Sequence, residues 1–161
     1  QAHKVQGIIN GIDVDLYNSA TMAGIAFSQA GLGLCHAISH SLGGEFHIAH
    51  GRLNAILLPA VMDCNAIACG MRYARLAQKA GLSSGNEVMA LRALKNALLK
   101  LRRSLNMPET LAQAGVPPLQ VREATEELVK AVLADPCCAT NPVRPDEKAV
   151  RRILQQVTGV G

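Results

Sequence analysis

The chain has 161 residues and a mass of 17.0 kDa, which is the size of one domain. Apolar residues make up 49% of it and aromatics only 2%, with no Trp, while Ala (24) and Leu (20) dominate. Ala and Leu favour helix, whereas strands prefer β-branched and aromatic residues, so the composition points to an all-α protein. It argues against an immunoglobulin-like sandwich, a β-barrel, a collagen-like chain and a disordered tail. It also leaves too few aromatics for a base-stacking platform.

The net charge is +4 and unevenly spread: residues 1–70 carry two bases against four acids, and residues 71–161 fourteen against eight. The basic residues are interleaved with Glu123, Glu126, Glu127 and Glu147, and no basic run exceeds two, so the pattern reads as a solvated helix face and not a nucleic-acid surface. The five cysteines, Cys35, Cys64, Cys69, Cys137 and Cys138, are odd in number and form no C-x-x-C pair. Neither a disulfide framework nor a zinc ribbon is indicated, and reduced thiols in a cytoplasmic setting are the expectation. Cys64, Cys69 and Cys138 are expected to be core thiols. No uninterrupted apolar run approaches ~18 residues, so no membrane partner is expected. The N-terminus shows neither a signal-peptide pattern nor an initiator Met, as a mature fragment would.

In chain order, the segment through Gly11 reads as irregular. Asp13 or Asp15 caps a helix from Leu16 to about Ala30, which Gly31 and Gly33 punctuate. A second helix runs from Leu34 to Leu42 and stops at Gly43-Gly44, and a loop continues through Gly51. Leu53, Ile56, Leu57, Ala60 and Val61 recur at helical spacing, with Pro59 as an interruption. Met71 to Ala80 is a separate helix closed by Gly81. Glu87 to Leu105 is a long amphipathic helix with Val88, Leu91, Leu94, Leu98 and Leu101 on one stripe. Pro108 starts a short helix that Gly115 closes. Leu119 to Ala134 is another, and Pro136, Pro142 and Pro145 break the chain before a last helix from Asp146 to Val157. The sum is a single all-helical bundle of seven or eight helices over residues 1–161.

Of the five histidines, His36, His40, His47 and His50 fall within fifteen residues. His36 and His40 are spaced i, i+4, so a helix points both from one face. A helix, a Gly turn and a return helix would bring His50 to His36. Converging imidazoles suit a borderline metal such as Fe²⁺ or Zn²⁺, and polar roles beside a site are the other reading of the same spacing. Glu45 is the nearest carboxylate in sequence.

The stretch from Gly31-Leu32-Gly33 through His36, His40, Leu42-Gly43, His50-Gly51 and Asn54-Ala55 to Pro59 closely resembles the signature of the iron-containing (group III) alcohol dehydrogenase family. That pattern reads G-L-G-x-x-H, three residues, H, x-L-G, six residues, H-G, then x-x-N-A-x-L-L-P. Ala23-Gly24-Ile25-Ala26-Phe27-Ser28 upstream is similar to the family's A-G-x-x-F-S/N segment, and Asn141-Pro142 to its late N-P element. The resemblance covers nearly the whole chain. It implies the helical C-terminal domain of a dehydroquinate synthase-like fold. It also implies that His36 and His50 are metal ligands, and that His40 lies beside the nicotinamide and substrate without being a ligand, as the candidate for proton relay. Phe27 and Cys137 match pocket positions, and Leu32 adds a small apolar wall. His47 stands at a variable position, as a pocket edge or an ordinary loop group.

The family's glycine-rich NAD(P)-binding turn and its D-x-x-x-H element, which supplies the other metal ligands, are not found, and His3 has no Asp four residues before it. The expectation is therefore a C-terminal domain whose NAD(P)-binding N-terminal α/β domain lies outside this chain. The resemblance implies Fe²⁺, with Zn²⁺ as the second choice. The expected partners are a short-chain primary alcohol or its aldehyde, the chain's own N-terminal domain, and a second copy in a homodimer. The wording Gly43-Gly44-Glu45-Phe46-His47-Ile48-Ala49-His50 resembles members from ethanolamine or propanediol utilisation, some of them in bacterial microcompartments. A non-catalytic helical metal-binding or interaction module is the alternative from another class.

Overall fold

The computed structural model describes residues 12–83 and 85–159. The expected irregular segment through Gly11, with His3 in it, lies outside them. The described residues are helical, without a strand among them. They divide after Leu32 into two compact units.

The first unit holds α1 (Ile12–Ala30). It begins earlier than the capping signals suggest, which puts Asp13 and Asp15 within its first turns. Gly31 closes it at φ 79°, donating its N–H to the Phe27 carbonyl at 2.9 Å.

The second unit contains α2 (Leu34–Phe46), α3 (His50–Lys79), α4 (Glu87–Ser104), α5 (Pro118–Ala134), a 3₁₀ turn (Pro136–Thr140) and α6 (Glu147–Thr158). Its main core unites the inward faces of α2, α3, α5 and α6. Leu34, Ile38, Leu42, Leu53, Leu57, Val132 and Val150 are there fully buried. A second, smaller core sets Met62, Ala74 and Ala77 of α3 against Ala90 and Leu94 of α4.

Three expectations are corrected. Gly43-Gly44 does not end α2: both lie within the helix, and His47 ends it in the left-handed conformation at φ 55°, its N–H returning to the Gly43 carbonyl at 3.0 Å. Pro59 does not split α3, which runs unbroken for 30 residues through Met71 to Lys79. A proline takes away the helical N–H that would bond the carbonyl four residues earlier, here that of Ala55. Arg102 of α4 donates Nη1–H to that same carbonyl at 3.3 Å. The loss is thereby met from a neighbouring helix, by an arginine only 8% exposed. Lastly, the segment after Pro108 forms turns and not a helix. Its Leu111 and Ala112 N–H groups bond the Val157 and Thr158 carbonyls at 2.8 and 3.1 Å, so they serve the end of α6 instead of a helix of their own. Among the described residues the count is six α-helices and one 3₁₀ turn.

α3 is long and apolar enough to cross a membrane by length and composition, and half of its most apolar stretch is buried inside the protein. That is the pattern of a core helix packed on several sides. Of the thiols expected in the core, Cys69 is buried, while Cys64 and Cys138 are partly buried against it.

The turn before α6 is fastened by one side chain. Asn141 Oδ1 accepts from Leu34 N–H and from Asn65 Nδ2 at 3.0 Å each, while its Nδ2 donates to Asn65 Oδ1 at 2.8 Å and to the Val143 carbonyl at 2.6 Å. It joins α2, α3 and the turn in one amide pair. Gly33 is needed beside it, because a Cβ there would stand 3.0 Å from Asn141 Oδ1.

Candidate functional site

The site lies at the start of α2 and α3. The i, i+4 spacing puts His36 and His40 on one face of α2, a three-residue connection (47–49) turns the chain, and His50 opens α3. The three rings gather, with centroids 5.1 Å apart for His36 and His50, 5.2 Å for His40 and His50 and 6.2 Å for His36 and His40. His40 and His50 are stacked. His47 is exposed and serves the helix end.

One amide meets both of the first and last rings. Asn54 Nδ2 lies 2.9 Å from His50 Nε2 and 3.5 Å from His36 Nε2. Ser39, buried at 1% exposure, has its hydroxyl 3.0 Å from His50 Nδ1 and 3.3 Å from the His50 carbonyl. Burial, and then the neighbouring His50 and His40 rings, hold His36 below the usual imidazole pKa, which favours its neutral form. Behind them Cys35 is pushed up to about 12 by burial, so it remains a thiol. Two imidazoles whose Nε2 atoms meet one amide nitrogen are of the kind that hold a cation such as Fe²⁺ or Zn²⁺. They are two of the three or four protein ligands such an ion takes.

His40 has a partner of its own. Its Nδ1 is 2.9 Å from Asp135 Oδ2, so a ring N–H donates to a carboxylate. Burial works to raise the Asp135 carboxyl, but the bonds from His40 and from the Cys137 N–H outweigh it and leave it below the ordinary range. Ligand atoms of His40, Asp135 and Cys137 all lie within 4.8 Å of one another. Cys137 is pushed up to about 11, first by burial and then by Asp135, so it faces this cluster as a thiol and not as a thiolate nucleophile.

The structure thus brings His36, His40, His50 and Cys137 together in the second unit. Phe27, 45% exposed on α1, and Leu32 belong to the first unit. Sequence reasoning missed Asp135 and Ser39. Glu45, the nearest carboxylate in sequence, is exposed, and Asp135 comes from 95 residues beyond His40. A signal was there to read: Asp135 directly precedes Pro136, and its side chain caps the 3₁₀ turn by accepting from Cys137 N–H at 2.8 Å.

Fold and site together define a helical body that presents two converged imidazoles and a carboxylate-bound third. The chain belongs to the Fe-containing alcohol dehydrogenase family, matching the model of its C-terminal part over residues 12–158. It is 38% identical over 146 residues to the 1-propanol dehydrogenase PduQ of Salmonella typhimurium, covering 88% of this chain and 40% of that protein. It is 30% identical over 142 residues to the NADPH-dependent butanol dehydrogenase of Clostridium saccharobutylicum, covering 88% and 37%. Among solved structures, the iron-containing alcohol dehydrogenase of Thermococcus thioreducens superposes with a TM-score of 0.75 at 32% identity, covering 87% of this chain and 35% of that one. The chain spans about two fifths of the length of the curated relatives it matches.

Proposed function

We propose that this chain is the helical half of a metal-dependent, NAD(P)-linked alcohol dehydrogenase that interconverts a short-chain primary alcohol and its aldehyde. The carrying observation is that His36 and His50 direct Nε2 to one amide group. These two histidines would hold the metal, Fe²⁺ by the family's description or Zn²⁺ by the chemistry of the donors. When bound, it supplies Lewis acidity towards the alcohol oxygen.

The chain's own residues then divide the work. His40 gives its Nδ1–H to Asp135, which leaves Nε2 as the basic atom to take the alcohol proton and pass it on. It would also lie beside the nicotinamide. The family resemblance assigns Phe27, Leu32 and Cys137 to substrate-pocket positions, and small apolar residues around Phe27 and Leu32 suit a short chain. An N-terminal domain would bring NAD(P) and the remaining ligands, and a second copy would complete a homodimer. The Gly43–His50 wording and the likeness to a 1-propanol dehydrogenase support aldehyde reduction in ethanolamine or propanediol utilisation, in the cytoplasm or in a bacterial microcompartment.

The test is oxidation of 1-propanol by the full-length protein with NAD⁺ or NADP⁺. His36→Ala and His50→Ala abolish it together with metal retention. His40→Ala keeps the metal and lowers kcat by about 10²–10⁴-fold. Undiminished turnover in the His36 or His50 variant overturns the reading.

A further inference from the structure

We propose that Asn54 is a positioning residue that sets His36 and His50 in the tautomer a metal requires, and that Cys35 and Ser39 fix the direction of the hydrogen bonds around it. This rests on the reading of the two histidines as ligands.

The donors and acceptors around Asn54 can be counted. A side-chain amide has one end that accepts and one that donates two hydrogens. The Cys35 thiol lies 3.6 Å from Asn54 Oδ1 and 3.8 Å from the Asn54 backbone carbonyl. Its S–H has oxygen acceptors there, so the carbonyl end of the amide faces Cys35 and the NH₂ end faces the histidines. Each amide hydrogen then points to a ring nitrogen, His50 Nε2 at 2.9 Å and His36 Nε2 at 3.5 Å. A nitrogen that accepts carries no proton, so each neutral ring has its hydrogen on Nδ1.

At His50 the other side of the ring agrees. Nδ1–H donates to Ser39 Oγ at 3.0 Å, and the serine hydroxyl passes its own hydrogen to the His50 carbonyl at 3.3 Å. Ser39 is buried, so water does not compete for these positions. The two Nε2 lone pairs are thereby held towards one point before any ion arrives. Metal ligation by histidine needs the neutral ring with that lone pair available, and partners on the far nitrogen are what usually secure it. On the near side the amide fixes where both lone pairs point, and an arriving ion replaces its two hydrogen bonds.

The experiment is histidine ¹⁵N NMR on the full-length, metal-stripped protein at neutral pH, followed by Zn²⁺ titration. The wild type shows Nδ1–H, Nε2-unprotonated signals for His36 and His50. Asn54→Leu loses that pattern at both rings. Three milder variants keep the test independent of folding at position 54: Ser39→Ala mixes the tautomers of His50 alone, and Cys35→Ala mixes both, whereas Cys35→Ser, which keeps a donor, restores the wild-type pattern. Nε2–H signals in the wild type, or tautomers unchanged in Asn54→Leu and Ser39→Ala, overturn the proposal. A wild-type tautomer pattern that Asn54→Leu destroys supports it even if Zn²⁺ fails to bind, an outcome that overturns only the ligand reading.

Discussion

The two halves of α3 are built differently. From His50 to Val61 the helix sinks Leu53, Ile56, Leu57, Ala60 and Val61 into the main core, against residues of α2, α5 and α6. From Met62 to Lys79 its buried apolar contacts are mostly small ones, Ala74 and Ala77 against Ala90 of α4, and Ile67 and Met71 stand exposed at 89% and 62%. The half that carries the histidine site is thus fixed from several sides, while the other rests mainly on one neighbour. A site that must hold two imidazoles to a common point needs the first kind of support.

The largest effect should come from the first half. Leu53→Ala removes a fully buried side chain next to Asn54 and should cost about 2–5 kcal/mol, read as a lowered midpoint in thermal or denaturant unfolding of the full-length protein. A loss no larger than that of a surface substitution would erase the contrast.

Next is the bond from α4 to the carbonyl that Pro59 leaves without its helical partner. Arg102→Leu strands the Ala55 carbonyl and should cost about 1–3 kcal/mol. In a Pro59→Ala background the backbone N–H is restored, so the same substitution should cost clearly less. Equal costs in both backgrounds would separate Arg102 from the proline.

A smaller, pH-dependent effect is expected at Glu109, where the Arg103 hydrogen bond holds the carboxyl below its usual value, against burial and with the added charge of Arg102. A depressed carboxyl stabilises the fold above its unfolded pKa of about 4.3, and that contribution fades as pH falls through the folded value. The Tm gap between wild type and Glu109→Gln should therefore be present at neutral pH and close in acid. A gap that does not change with pH would contradict this.

The smallest effect belongs to the far half. Gly70→Ala places a Cβ against the end of the Glu87 side chain, which is flexible and can swing away. Its Tm should stay near wild type, and a loss like that of Leu53→Ala would show that this half is as tightly determined as the other.

Much of this was legible in the amino-acid sequence. Apolar spacing placed α2, α4, α5 and α6 within a few residues, and the i, i+4 histidines with the return to His50 foretold their gathering. The failures share a cause: local rules were overridden by distant partners. Pro59 signals a break, yet Arg102, 43 residues on, answers the orphaned carbonyl. Gly43-Gly44 signals a stop, yet Phe46 beyond it packs against the main core within the same helix. Pro108 and Gly115 frame a helix, yet α6 claims the N–H groups between them. Asp135 reaches His40 through tertiary structure alone.

The most direct measurement is the metal content of the full-length protein, purified as wild type, His36→Ala and His50→Ala. The account predicts one bound metal ion per chain in the wild type and its loss in each variant, with the helical content unchanged. Full metal occupancy in either variant would contradict it.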